Sequence, residues 1–133
     1  MRVLIKSWLL GTTALALLAA AADAPATAQQ KTIKIGFIST FSGPAAAIGK
    51  DMRNSFELGL DHVGRKLGGL PVEVIYEDDQ IKPDVGVQKT KKLIESDHVD
   101  FIVGYIWSNV AVASLKPLVD SKTITVVANA GAS

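Results

Sequence analysis

Between residues 32 and 128 the chain alternates short apolar runs with longer stretches in which apolar residues return every three or four positions. The runs at 32–39 (TIKIGFIS), 71–76 (PVEVIY), 100–105 (DFIVGY) and 123–128 (TITVVA) read as four buried strands. Ile48, Met52, Phe56, Leu60 and Val63 form one stripe on a first helix over 46–63, ended by Gly64 or by the pair Gly68-Gly69. Pro83-Asp84 opens a second helix that reaches about residue 96, with Val87, Thr90, Leu93 and Ile94 inward. A third helix, capped by Ser108 or Asn109, turns Ala111, Leu115, Leu118 and Val119 inward. It should bend at Pro117, whose ring displaces the carbonyl of Ala113.

Strands alternating with helices predict an α/β fold, a Rossmann-like parallel sheet covered on both faces. With the first helix on one face and the other two on the opposite face, right-handed crossovers order the strands 2-1-3-4. Ligands of such sheets bind beyond the carboxyl ends of the strands, where the order reverses. Three segments should meet there: 41–48, 105–109 and 129–133.

The first 28 residues follow a different pattern. Arg2 and Lys6 precede an apolar run over 8–22, interrupted only by Gly11, Thr12 and Thr13 and closed by Asp23. Ala26-Thr27-Ala28 then places small residues where a signal peptidase reads them, so 1–28 is expected to be a cleaved secretory signal. The run is shorter than the roughly 18 apolar residues of a membrane span. The alternative cut, after Ala24 of Ala22-Asp23-Ala24, would leave Pro25 just beyond the cleaved bond. Cysteine is absent, which excludes disulfides, thiolate metal sites and a lipoprotein anchor, and the product is expected to be soluble and periplasmic. The whole chain has 14 Lys+Arg and 13 Asp+Glu; without Arg2, Lys6 and Asp23 the mature part has 12 of each. It is neutral, with no basic stripe for nucleic acid. The cluster Lys89, Lys91 and Lys92 reads as a solvated helix face.

Gly43 and Gly49-Lys50 approximate a phosphate loop, but five residues rather than four separate the glycines. Asp51 also stands where that pattern needs a hydroxyl, and the loop is rejected. Glu77-Asp78-Asp79 reads as a solvated turn whose aspartates tie down local backbone. A metal or phospho-acceptor cluster is the competing reading. His62 and His98 lack metal-ligand spacing, and no serine sits in a nucleophile elbow. The expectation is a protein without catalysis, cofactor or metal. Ser108-Asn109 offers an anion a hydroxyl and free N–H groups at a helix N-terminus, with ordinary capping as the competing reading. Trp107 and the loop at Gly131 flank it, which together make an anion-plus-apolar small-molecule site.

Three segments carry a resemblance: IKIGFISTFSGPAAAIGKDMRNSFELGLD, then GLPVEVIYEDDQIKPDVGVQKTKKLIESDHVDFIVG, then SNVAVASLKPLVDS. In their order they resemble the type I periplasmic solute-binding proteins of ABC importers, in the branch for branched-chain amino acids, amides and small carboxylates. The resemblance implies a two-lobed protein that closes on its solute by a hinge and delivers it to a membrane permease. Residues 29–133 would then be the first part of the first lobe, in a chain truncated relative to a full-length, monomeric carrier.

The family's carboxylate-binding serine falls on Ser108, after Ile106 and Trp107, beside Asn109; its strand-four contacts fall on Asn129, Ala130 and Gly131. Two positions depart from the amino-acid binders: Ile48 stands for an aromatic and Gly131 for a hydroxyl residue. Both departures favour a more apolar carboxylate, such as an aromatic acid, which Ile48, Ile106 and Trp107 would suit. An extracellular sensory domain of the same fold is the rival, and an α/β enzyme with its catalytic residue elsewhere is a third reading.

Overall fold

The computed structural model describes residues 31–131; the expected leader and the last two positions lie outside the described residues. Strand β1 (Ile33–Ser39) leads into helix α1 (Ala46–His62), then the two-residue strand β2 (Lys66–Leu67) and strand β3 (Leu70–Asp78). Helix α2 (Pro83–Lys91) continues into a π-helical turn (Lys92–Ser96), followed by β4 (Phe101–Gly104), α3 (Ser108–Ser121) and β5 (Ile124–Val127). The strands make one sheet in the order β2-β3-β1-β4-β5.

Four of these strands are parallel and in the anticipated order, with β1 between β3 and β4. The four-strand expectation is corrected by β2, which pairs antiparallel with β3 and makes the sheet mixed. Its cause is the Gly68-Gly69 pair. Both residues have positive φ (56° and 81°) and close a two-residue hairpin between Leu67 and Leu70, a conformation glycine takes at no steric cost. These glycines build a turn and do not end α1. The helix ends at the other expected breaker: Val63 is its C-cap, Gly64 follows with φ 65°, and the Arg65 N–H returns to the Leu60 carbonyl (2.7 Å).

The sheet is covered from both sides. Phe37 points to the α1 side, where its ring lies 5.1 Å from Phe56 and 5.3 Å from Tyr76. Ile38 points the other way, into a cluster with Leu93, Ile102, Tyr105, Val110 and Leu118. Close approach at two glycines sets the helix-to-sheet spacing and the spacing between α2 and α3. A Cβ on Gly36 would stand 2.9 Å from the Leu93 side chain, and one on Gly86 would stand 2.4 Å from Val110.

Several stripe positions lie elsewhere than the periodicity predicts. On α3 the buried residues are Val110, Ala111, Ser114 and Leu118, while Leu115 and Val119 are exposed. The helix is rotated toward α2 and the sheet centre, leaving those two over a groove beside β5. Ile48 and Val63 are likewise exposed, at the two ends of the α1 stripe. Strand β5 was expected to be buried, yet Ile124, Val126 and Val127 are all exposed, because β5 is an edge of the described sheet. The third helix does run through Pro117 without ending there.

Candidate functional site at the carboxyl ends of the strands

The exits of β1, β3, β4 and β5 are tied to one another by specific bonds. Gly104 has φ 123°, and a Cβ there would lie 2.0 Å from the Ile38 carbonyl oxygen. That close approach lets the Tyr105 N–H reach the same oxygen at 2.8 Å. Tyr105 takes a left-handed backbone (φ 56°) that turns its ring inward, fully buried. Burial pushes its phenol above the ordinary tyrosine range. Beyond β5, the Ala128 N–H bonds the Gly104 carbonyl (2.8 Å) and the Ala130 N–H bonds that of Tyr105 (3.1 Å). Residues 128–131 therefore run alongside the exit of β4.

Trp107 holds the next position. Its backbone is extended (φ −106°, ψ 130°), and it is the N-cap of α3. The indole packs against the core cluster and donates from Nε1 to Thr40 Oγ1 (3.1 Å), linking the β4 and β1 exits. The Thr40 hydroxyl donates in turn to Asp79 Oδ1 (2.6 Å), which brings in the exit of β3. Thr40 and Asp79 are both fully buried.

Ser108 and Asn109 are the first two residues of α3, both exposed. Neither caps the helix, because the N-cap is Trp107 and no side chain bonds the N-terminal N–H groups. The competing capping reading therefore does not describe Ser108. The helix presents its positive end and unpaired N–H groups beyond the strand ends. Asn129 and Gly131 are exposed nearby, and Ala130 is half-buried against the core. Ile106 is buried. Ile48 lines a groove of about 610 Å³ on the α1 side of the sheet with Met52, Phe56 and Val126, which reaches Gly104 and Ala128 at the β4 and β5 exits.

The acidic run is not a solvated turn. Glu77 is buried and ion-paired with Lys89 and Lys92 (both 2.7 Å), so two of the three clustered lysines also have a structural task. Burial alone would raise the Glu77 carboxyl, but the two ammonium groups more than offset it and hold it below its ordinary value. Asp78 Oδ1 does tie down backbone, accepting from the N–H groups of Phe41 (2.8 Å) and Gln80 (3.0 Å). Among the described residues no group of three metal-ligating side chains comes together. Pattern reading missed Thr40 and Asp79 as parts of the site. The signal available was their position, one residue beyond the ends of the neighbouring strands β1 and β3.

A family model described as periplasmic binding protein matches residues 32–133. The Leu/Ile/Val-binding protein BraC3 of Rhizobium johnstonii is 32% identical over 102 residues, which are 75% of this chain and 28% of that protein. An ABC transporter substrate-binding protein from Sphaerobacter thermophilus superposes with a TM-score of 0.74 at 40% identity, over 77% of this chain and 28% of its own. A solute-binding protein from Rhodopseudomonas palustris, solved with benzoate, superposes at 0.73 and 33% identity, again over 77% and 28%. The chain thus spans little more than a quarter of the length of these relatives.

Proposed function

This chain belongs to the family of periplasmic binding proteins, which are binding proteins and not enzymes, and on that premise we propose that it forms part of the solute-binding component of an ABC importer. The complete protein captures a small apolar carboxylate and hands it to a membrane permease. One observation carries the reading: α3 begins at Ser108 and Asn109 with no side-chain cap, beside Trp107 and beyond the strand ends. A carboxylate there meets a hydroxyl, two backbone N–H groups and the positive end of the helix. Trp107 and Ala130 supply apolar surface, and the exposed Gly131 lets backbone approach the ligand. Of the other expected contacts, Ile48 lies in the groove on the α1 side, while Ile106 is buried and withdrawn from a ligand.

The solute class is an aromatic acid or a branched-chain amino acid. An indole wall beside an anion subsite favours the aromatic acid, and the relative solved with benzoate supports it. The Leu/Ile/Val-binding relative keeps the amino acid in view. Calorimetric titration of the full-length protein with benzoate, leucine, isoleucine and valine tests the reading. Micromolar binding of benzoate is expected, and heats indistinguishable from dilution for all four would overturn it. The carrier works outside the cytoplasm, so the mature N-terminus should be Gln29, after the cut at Ala28. Mass spectrometry of the periplasmic fraction reads this directly, and a product that keeps residues 1–28 would contradict it.

A further inference from the structure

We infer that Thr40 and Asp79 are positioning residues for ligand binding, acting through Trp107. The inference rests on the carboxyl-end site proposed above. Its basis is a chain of three side chains from three strand exits: Trp107 Nε1–H to Thr40 Oγ1 (3.1 Å), then the Thr40 hydroxyl to Asp79 Oδ1 (2.6 Å). The order of donors is forced at the first link, because an indole can only donate. With its one proton committed to Asp79, the Thr40 oxygen faces Trp107 as an acceptor. Bonds in such a chain polarise one another, so the Asp79 end strengthens the grip on the indole.

The fold does not need the outer link. Asp78 already pins the β1 exit to the β3 exit through the Phe41 N–H, and the Asp79 N–H bonds the Ser39 carbonyl at 3.0 Å. Asp79 Oδ1 also holds its own turn through the Ile81 N–H (3.0 Å). What the Thr40–Trp107 bond adds is the orientation of one ring. That ring is half-buried, packed on one side against the core, and belongs to the residue immediately before Ser108.

The foundation under Thr40 is rigid. Gly49 of α1 lies directly over it, where a Cβ would stand 1.9 Å from the Thr40 carbonyl oxygen. Asp79 is fully buried and its Oδ2 has no protein partner among the described residues, a costly arrangement for a residue whose only task is a turn. Orientation of the indole gives that cost a use. A side chain locked before the ligand arrives loses less rotamer freedom on binding.

The test is a double-mutant cycle on the full-length protein, titrated by calorimetry with benzoate and with leucine, alongside the near-ultraviolet circular dichroism of Trp107 without ligand. Thr40→Val removes the acceptor and should weaken binding roughly three- to tenfold, the worth of one hydrogen bond. It should also diminish the tryptophan dichroism band, defined as the part lost in Trp107→Phe. Thr40→Ser, which keeps the hydroxyl, should restore both. In a Trp107→Phe background Thr40→Val should cost no further affinity, because the residue it positions is gone. A merely structural Thr40 would weaken binding equally in both backgrounds, and that result overturns the inference. So would a Thr40→Val protein that binds as the wild type does. A wild type that titrates with neither probe would instead overturn the site itself.

Discussion

The Tyr105 and Thr90 hydroxyls lie 2.7 Å apart in the core, joining the exit of β4 to the last turn of α2. Thr90 spends its own proton on the Gly86 carbonyl (2.7 Å), so Tyr105 is the donor. Tyr105→Phe deletes that donor and should cost about 0.5–1.5 kcal/mol. Thr90→Val should cost more, because it leaves a buried phenol without this acceptor. The double variant should be less destabilised than the sum of the two, since both partners are then apolar. Thermal melts of the four proteins measure this; strict additivity would show that the two hydroxyls are not coupled.

The buried Glu77 couples β3 to the end of α2 through Lys89 and Lys92. A carboxyl held below its ordinary value of 4.5 contributes stability above that value and loses it as pH falls through the lower folded one. Glu77→Gln should therefore cost about 1–2 kcal/mol at neutral pH, discounted for the partly exposed lysines. The gap from the wild type should close below about pH 4.5, as the wild-type carboxyl takes up its proton. Denaturant unfolding across pH checks it, and a gap that stays constant into acid would contradict the pairing.

Two glycines on one helix should respond in opposite ways to the same substitution. A Cβ on Gly49 would stand 1.9 Å from the Thr40 carbonyl oxygen, whereas one on Gly59 would have nothing within 4 Å. Gly59→Ala should stabilise by about 0.5–1 kcal/mol, the helix-propensity gain. Gly49→Ala must push α1 off the β1 exit and should destabilise by about 1–3 kcal/mol, as overpacked cores do. Melting temperatures of the pair decide it; a Gly49→Ala protein as stable as Gly59→Ala would contradict the close approach.

Most of the fold was legible because local pattern and tertiary packing agree. Apolar runs mark β1, β3, β4 and β5, and the crossover rule orders them correctly around β1. What pattern could not supply was which side of a helix wins when two apolar stripes compete. Val110 and Ser114 outrank Leu115 and Val119 because α3 faces α2, whose Gly86 admits Val110 closely. A buried serine carries no periodic signal. The hairpin at Gly68-Gly69 was legible in principle, but two residues of strand are too short to register as a run. At the strand exits, the placement of Trp107, Ser108 and the 129–131 loop follows from topology, whereas the burial of Thr40 and Asp79 does not show in the sequence. Polar residues after a strand look solvated in one dimension; here the closing of α1 over Thr40 removes them from water.

The central claim is that the N-terminus of α3 holds the carboxylate of a bound solute, and Ser108→Ala tests it most directly. Ser108 is exposed and caps nothing, so its removal should leave the melting temperature unchanged. Calorimetric titration of the full-length protein with benzoate should show affinity reduced by about 1.5–3 kcal/mol, the range for hydrogen bonds to charged groups, or roughly ten- to a hundred-fold. A Ser108→Ala protein that binds benzoate as tightly as the wild type would contradict the account.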